Sequence, residues 1–481
     1  MHGRSILRLI GLLLLIYSIS FVPSLIVAIV TADGEIPVFL GSISGTLALG
    51  CALWLPNRGQ RAELSVRDGF LFVTLFWVIL GLTGSLPFML GLHLNLTDAV
   101  FESVSGFTTA GATVIGGLDV LPPSVLYHRQ QIQWLGGMGV IVLAVAILPM
   151  LGVGGLQLYR AESSGVTKSD KLTPRIGETA RAFWLIYSAL TVACGLAYWA
   201  AGMNAFDALG HAFSTIATGG FSTHDASLAH YNSPLIEAIA ILFMLAGGIN
   251  FGIHYLALMR GRLRTYASDS EVRTYFAIFV LGSAVVAVSL WLTNTFASLP
   301  DAIRHATFEV ASVLTSTGFT TDDFSLWPLH IPLVLVMLSF IGGCAGSTAG
   351  GIKVMRIMLL AKLGIRQLRQ LAHPQSVSII KLGSRAVRED VLYSVWGFYV
   401  LYVAVALLVT LLMMAAGLDL ESAFGATLAT LNLLGPGLGD VASSFAEVGP
   451  MVKWVGVFAM LVGRLEMFTL LILFLPEYWR H

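Results

Sequence analysis

The sequence predicts an all-α polytopic membrane protein, organised as four span–short helix–span repeats around a pseudo-fourfold axis and preceded by two extra transmembrane helices. Three observations predict it. Mean hydropathy is +0.82, with 56% of the 481 residues hydrophobic and 11% charged, a composition outside the range of soluble domains. Apolar stretches long enough to cross a bilayer occur near 6–30, 37–55, 69–91, 130–151, 181–201, 234–258, 274–293, 331–360, 391–415 and 452–475, which makes ten spans. A polar, glycine-centred peptide then returns at wide intervals: TTAGAT at 108–113, ATGGFST at 217–223, TSTGFTT at 315–321 and, more loosely, NLLGPGLG at 432–439.

The first two spans, within 1–60, stand outside the repeat. The opening MHGRSILRLIGLLLLIYSISFVPSLIVAIV resembles a secretory signal, but its apolar run from Ile6 to Val30 is too long and no small-x-small site follows; it reads as a retained helix. Four units follow over 61–175, 176–268, 269–385 and 386–481, with focal glycines Gly111, Gly220, Gly318 and Gly435 spaced by 109, 98 and 117 residues. In each unit a moderately apolar segment, too short to cross, precedes the glycine: TDAVFESVSGFTTAG, FDALGHAFSTIATGG, RHATFEVASVLTSTG and LESAFGATLATLNLLG. Asp98, Asp207 and Glu421 open three of them, 13, 13 and 14 positions ahead of the glycine, where an acidic side chain suits a helix N-terminus. The third copy keeps Glu309 but not that start.

Charge orients the spans. Lys plus Arg and Asp plus Glu both total 27, so net charge points to no partner and gives no sign of nucleic-acid binding. Their distribution is uneven: 23 basic residues fall in alternate connections, Arg129, Arg304 and Lys453 in the others, and Arg464 within a span. The positive-inside rule therefore puts both termini in the cytoplasm and the glycine turns outside. There, fifteen acidic residues, among them Asp98, Glu102, Asp207, Asp301, Glu309, Asp322, Asp323, Glu421 and Asp440, face those three basic ones. A mouth of that sign concentrates cations. Non-helical backbone at membrane depth survives only where protein buries it or water reaches it. Four such turns on one axis make each preceding segment a pore helix, with carbonyls placed to replace a monovalent cation's hydration shell. GGMG at 136–139 and AGGINFG at 246–252 read instead as helix-packing glycines, and the three cysteines, Cys51, Cys194 and Cys344, as apolar fillers.

Two further features lie inside spans. FIGGCAGSTAGGIKVMRI at 340–357 is too rich in glycine and small polar residues for a continuous helix; it lacks the lysine–serine/threonine ending and the preceding strand of a phosphate loop. Arg464 costs at least ~2.5–3.5 kcal/mol in lipid unless it reaches water or a partner. Glu466, two residues on, leaves a helix on another face, so the glycine-rich segment is the better partner.

Four such units behind two extra helices, with TTAGAT, ATGGFSTHD, TSTGFTTDDF and NLLGPGLG and the ending VGRLEMFTLLILFLPEYWR, resemble the Trk/Ktr/HKT superfamily of potassium uptake proteins over the whole length. The resemblance implies a multi-pass protein of the bacterial inner membrane that is a transporter and not an enzyme. Its potassium filter would be built from Thr109, Ala110 and Gly111; Thr218, Gly219 and Gly220; Ser316, Thr317 and Gly318; and Leu433, Leu434 and Gly435. Ala110 and Leu433 depart from the family's usual Thr and Asn, and glycine at 111 resembles the potassium-selective members. The resemblance also implies a gating loop below the filter, carrying Gly342, Gly343, Gly346, Ser347, Thr348, Gly350 and Gly351; Arg464, partnered with that loop in the pore, reads as its latch, with a purely structural buried arginine as the alternative. It implies a homodimer in lipid and a separate cytosolic nucleotide-binding subunit of the TrkA type, for which the basic segments near 160–181, 260–273 and 356–388 are docking surfaces. No cofactor is expected in this chain, only potassium as the bound substrate ion. A sodium- or proton-coupled symporter is the alternative, although such proteins normally use inverted repeats. The eleven histidines form no catalytic motif.

Overall fold

The computed structural model describes residues 2–59, 65–142, 176–328, 330–376, 378–383, 385–465 and 467–480. The end of the predicted span 130–151, most of the basic segment 160–181 and Glu466 lie outside the described residues. Among those described, the chain is helical apart from a two-residue antiparallel ladder that pairs Lys381–Leu382 with Arg385–Ala386.

Six helices are long and apolar enough to cross a bilayer: Gly3–Thr31, Ile36–Asn57, Val66–Gly91, Glu178–Ala200, Ser270–Leu292 and Glu389–Ala415. The remaining predicted spans are irregular. Pro123–Val142 is continuous through GGMG, and there the glycines do pack: a Cβ on Gly136 would sit 1.9 Å from the Phe107 carbonyl oxygen. AGGINFG behaves differently. Pro234–Gly247 and Phe251–Arg260 meet at 96° across Gly248–Asn250, so this glycine run breaks the span as well as packing closely: a Cβ on Gly248 would sit 2.4 Å from the Tyr275 hydroxyl and one on Gly247 3.0 Å from Ile216 O. The predicted span 331–360 divides into His330–Ile341 and Val354–Ala372, the second an amphipathic helix running twelve residues past the expected end. The last span is Pro450–Leu465, followed by Met467–Leu471.

Four short helices lie among these spans: Leu96–Phe107, Ala205–Ile216, Leu299–Leu314 and Leu420–Leu431. Twelve to sixteen residues of helix span about 18–24 Å, against about 30 Å of hydrocarbon, so they are too short to cross a bilayer. Each packs against the two spans of its own repeat and against the second span of the repeat before it: the second on Pro123–Val142, the third on Pro234–Gly247, the fourth on His330–Ile341. The first packs on Pro450–Leu465, the last span of the fourth repeat. The sequence of contacts closes on itself. Helices Gly3–Ile19 and Ile36–Trp54 pack on each other, and Val22–Thr31 lies on Pro123–Val142, so the two extra helices flank the first repeat. Large apolar side chains such as Ile19, Val30, Leu281 and Leu411 stay exposed on the span surfaces, as a lipid-facing perimeter requires.

The third short helix corrects the sequence reading. It begins four residues earlier than the others, with Ser298 as its cap and Asp301 in its first turn. The acidic start is present and displaced, because this helix has 16 residues where the others have 12.

Candidate functional site

The four short helices are capped alike. The side-chain oxygen of Asn95 accepts from the Asp98 N–H at 3.0 Å, Asn204 from Asp207 at 2.8 Å, Ser298 from Asp301 at 3.2 Å and Asp419 from Ser422 at 3.2 Å, each satisfying an orphan N–H of the first turn. Their C-terminal ends are also alike. The N–H of Ala110 donates to Ser105 O, Gly219 to Ser214 O, Thr317 to Ser312 O and Leu434 to Ala429 O, at 2.8–3.0 Å. This closure places a residue in the left-handed region just beyond the helix, a position usually held by glycine. Here it is Thr109, Thr218, Ser316 and Leu433, with φ of 55°, 51°, 51° and 58°. A side chain at such a φ costs roughly 1–2 kcal/mol, and the chain bears that cost at the same place four times.

Two residues later the focal glycines take φ of 80°, 76°, 81° and 90°. A Cβ on Gly111 would lie 2.3 Å from the Gly219 carbonyl oxygen, on Gly220 2.0 Å from that of Thr317, on Gly318 2.1 Å from that of Leu434, and on Gly435 2.9 Å from that of Ala110. Each glycine therefore faces the carbonyl of the residue that precedes the next repeat's glycine, and the fourth returns to the first. The four glycines and the four residues before them meet in this ring, the left-handed Thr109, Thr218, Ser316 and Leu433 precede it in each turn, and a Cβ at any of the four glycines would force a neighbour to shift. The two unusual residues fit the pattern of their counterparts: Leu433 is left-handed like Thr109, and Ala110 supplies the carbonyl of the closing contact.

Buried polar side chains brace the strand beyond each of the first three turns. Nine residues before the focal glycine stand Glu102, His211 and Glu309, all fully buried. Glu102 accepts from the Val114 N–H at 2.9 Å and Glu309 from the Thr321 N–H at 2.8 Å, while His211 Nε2 lies 2.9 Å from Ser222 Oγ. Glu102 and Glu309 are thus not part of an acidic mouth, as their position in the sequence implied. Arg129 is equally buried and pairs with Glu102 at 2.6 Å; it donates to the Ser222 carbonyl at 2.9 Å and covers the Phe221 ring at 3.7 Å. Gln133 donates to Gly219 O at 2.5 Å and accepts from the Phe221 N–H at 3.1 Å. The second span of repeat 1 so holds the turn of repeat 2. Neither Arg129 nor Gln133 stands out in the sequence, since their partners are remote.

On the predicted outer side of the ring opens a cavity of about 410 Å³, lined by Gly111, Gly220, Gly318 and Gly435 at its floor and by Asp225, Asp322 and Asp323 on its walls. Of the other acids expected there, Asp98 is neutralised by Lys453 at 2.7 Å and Asp207 is buried beside His224.

On the opposite side lies the glycine-rich segment. Backbone bonds from Ile352 to Phe340 O, Lys353 to Ile341 O and Val354 to Gly343 O, at 2.9–3.0 Å, close its neck, and Gly342, Gly346 and Gly351 supply left-handed turns. Its tip reaches the ring. Thr348 Oγ1 donates to Ile216 O at 3.0 Å and lies 3.2 Å from Thr218 Oγ1, the Gly350 N–H donates to Ser316 Oγ, and a Cβ on Gly350 would meet the Asn432 carbonyl at 2.2 Å. The broken span of repeat 2 receives the same tip: the Cys344 N–H donates to Gly248 O at 2.8 Å and the Phe251 N–H to Gly346 O at 3.1 Å. Buried Glu271 accepts from the N–H groups of Ala345 at 2.8 Å and Met355 at 3.1 Å, tying both arms of the loop, and Lys353 Nζ donates to Ala349 O. Gly343 and Ser347 are inside the fold of the loop, the Ser347 hydroxyl donating to Cys344 O at 2.6 Å. Glu271, Lys353 and Asn250 escaped the sequence reading; the break at Gly248–Asn250 is the signal that could have found the last.

Arg464 is 5% exposed and donates from Nη1 to the Thr348 carbonyl at 2.8 Å, with Nη2 3.5 Å from Gly136 O. Among the described residues its Nε has no hydrogen-bond partner and no carboxylate pairs with it. The arginine thus joins the fourth repeat to the loop of the third directly beneath the ring.

Residues 35–481 match the family profile described as TrkH, a cation transport protein. Over 482 residues and all of both chains, the sequence is 50% identical to the Trk system potassium uptake protein TrkH of Escherichia coli strain K12. It is 38% identical to the Trk system potassium uptake protein TrkG of the same strain, covering 100% of this chain and 99% of that one. The fold superposes on the crystal structure of the potassium transporter TrkH from Vibrio parahaemolyticus with a TM-score of 0.93, at 48% identity and with complete coverage of both chains.

Proposed function

The chain belongs to the TrkH family of cation transport proteins, is a multi-pass membrane protein and is not an enzyme, and from that premise we propose that it takes up potassium through the glycine ring as a selectivity filter. The observation that carries the reading is the closed circuit of four glycine–carbonyl contacts. Carbonyl oxygens held at fixed spacing replace the hydration shell of a monovalent cation. The four short helices direct the partly negative ends of their dipoles toward the same place, and Asp225, Asp322 and Asp323 favour cations in the cavity above. Potassium is the transported substrate, and the chain works without a cofactor of its own.

The loop 342–351 and Arg464 act as the gate. With the tip docked under Thr218 and Ser316 and fixed by the Arg464–Thr348 bond, it blocks the inner exit of the ring, and the guanidinium repels an approaching cation. Opening requires the tip to leave its partners, with the left-handed glycines providing the hinge. The protein sits in the bacterial inner membrane with both termini cytoplasmic, forms a homodimer, and is regulated by a separate cytosolic nucleotide-binding subunit that engages the basic inner helices. Purified protein in sealed liposomes tests the reading. Potassium influx down its own gradient, indifferent to an imposed pH or sodium gradient, is expected; influx that appears only with one of those gradients would favour the symporter.

A further inference from the structure

We propose that Asp119, His224 and His230 bind a divalent transition-metal ion of the zinc type at the outer junction of the first and second repeats. Asp119 lies in the short turn Leu118–Val120 of repeat 1, His224 four residues beyond Gly220, and His230 in the turn Ser227–Tyr231. One ligand atom from each comes within 4.8 Å of the others.

The surroundings of His224 carry the inference. Its Nδ1 is 2.5 Å from Asp119 Oδ1 and its Nε2 3.2 Å from Asp207 Oδ2. A neutral imidazole has one N–H and one lone pair, so it satisfies one of these carboxylates and turns a lone pair on the other. A metal cation between His224 and one of them satisfies both carboxylates, as a second proton on the ring would. Asp207 is the fixed side: it is 5% exposed and accepts from Thr223 Oγ1 at 2.7 Å and from Asn204 Nδ2 at 2.6 Å. A carboxylate held on the remote nitrogen is how a metal-ligating histidine is usually oriented. That leaves Nδ1 as the metal ligand, facing the Asp119 carboxylate.

His230 supplies the third donor. Its ring lies on that of His224 with centroids 3.5 Å apart and planes 3° from parallel. Adjacent ligands of a tetrahedral zinc at 2.0–2.1 Å are about 3.4 Å from each other, so the spacing suits one ion, and the parallel rings must each tilt by roughly 55° for both lone pairs to converge on it, with water as the fourth ligand. Two imidazoles and a single carboxylate favour a borderline-soft ion over calcium or magnesium, which prefer all-oxygen shells. Bound there, the ion would tie the Leu118–Val120 turn to the strand leaving the ring, at the rim of the outer cavity that His224 lines.

The test is a binding titration of the full-length protein in detergent, stripped with chelator and then titrated with zinc against a chromophoric competitor at neutral pH. One ion per chain with micromolar or tighter affinity is expected, unaffected by excess calcium. His230→Ala and Asp119→Asn, both at exposed positions, should each weaken binding roughly tenfold or more, and His93→Ala should not. Mildly acidic pH should weaken binding to the unmutated protein, since protons compete for the imidazoles. Because binding is read without transport, the result is independent of the potassium reading. No stoichiometric binding in the micromolar range, or variants at 119 and 230 that bind as tightly as the parent, would overturn the site.

Discussion

The four focal glycines do not have equal room, and that difference is itself testable. An added Cβ meets a carbonyl oxygen at 2.0 Å for Gly220, 2.1 Å for Gly318 and 2.3 Å for Gly111, but at 2.9 Å for Gly435. Gly220→Ala and Gly318→Ala should therefore abolish selective uptake, Gly111→Ser should raise sodium permeation relative to potassium, and Gly435→Ala should retain the most activity; ion flux from one set of liposome preparations ranks them. Equal losses at all four positions would mean that backbone strain, common to all, outweighs contact. Arg464 gives a second test at this scale. If its bond to the Thr348 carbonyl latches the loop, Arg464→Ala should increase potassium flux per folded protein and leave the potassium-to-sodium ratio nearly unchanged. A structural arginine would instead give lower flux and lower yield.

Among the elements, the braces of the first and third repeats look alike but are balanced differently. Glu102 is matched by Arg129 in the same buried space, so Arg129→Met should strand a carboxylate and cost about 3–5 kcal/mol in unfolding experiments. No cation among the described residues pairs with Glu309, whose Oε2 has no hydrogen-bond partner; Glu309→Gln keeps an acceptor for the Thr321 N–H and should leave stability nearly unchanged. These elements also show where sequence reasoning stops. The turns are legible because a glycine recurs at similar intervals, with small polar residues around it in three of the four, and the loop because no helix accommodates FIGGCAGSTAGGIK. Glu102 and Glu309 were misread as mouth residues, since a glutamate near an outer connection looks the same whether solvated or buried, and Arg129 lies 27 residues from its partner. The glycines of GGMG and AGGINFG likewise share a composition. Only the neighbour decides: Gly136 backs onto the Phe107 carbonyl within a continuous helix, while Gly248 turns its own carbonyl to the Cys344 N–H where the helix has ended. The third short helix hides its acidic start because it begins four residues earlier than the other three, putting Asp301 outside the shared spacing.

At the scale of the whole molecule, the packing order of the short helices and spans turns a linear fourfold repeat into a closed ring, and the loop of repeat 3 sits beneath it, held by residues of repeats 2, 3 and 4. If the loop gates the ring as proposed, its contacts in three repeats would make it respond to small relative movements of the inner helices, and the amphipathic helix Val354–Ala372 leads directly from the loop. A cytosolic subunit that pulls on this helix would open the gate; adding nucleotide to the membrane protein alone should leave flux unchanged, and adding it with the subunit should change it. The central claim concerns the ring. Its most direct test is the uptake of potassium, rubidium and sodium, side by side, by the unmutated protein in liposomes. A ring of carbonyls closed by glycine predicts potassium and rubidium flux well above sodium, and equal flux of all three ions would contradict it.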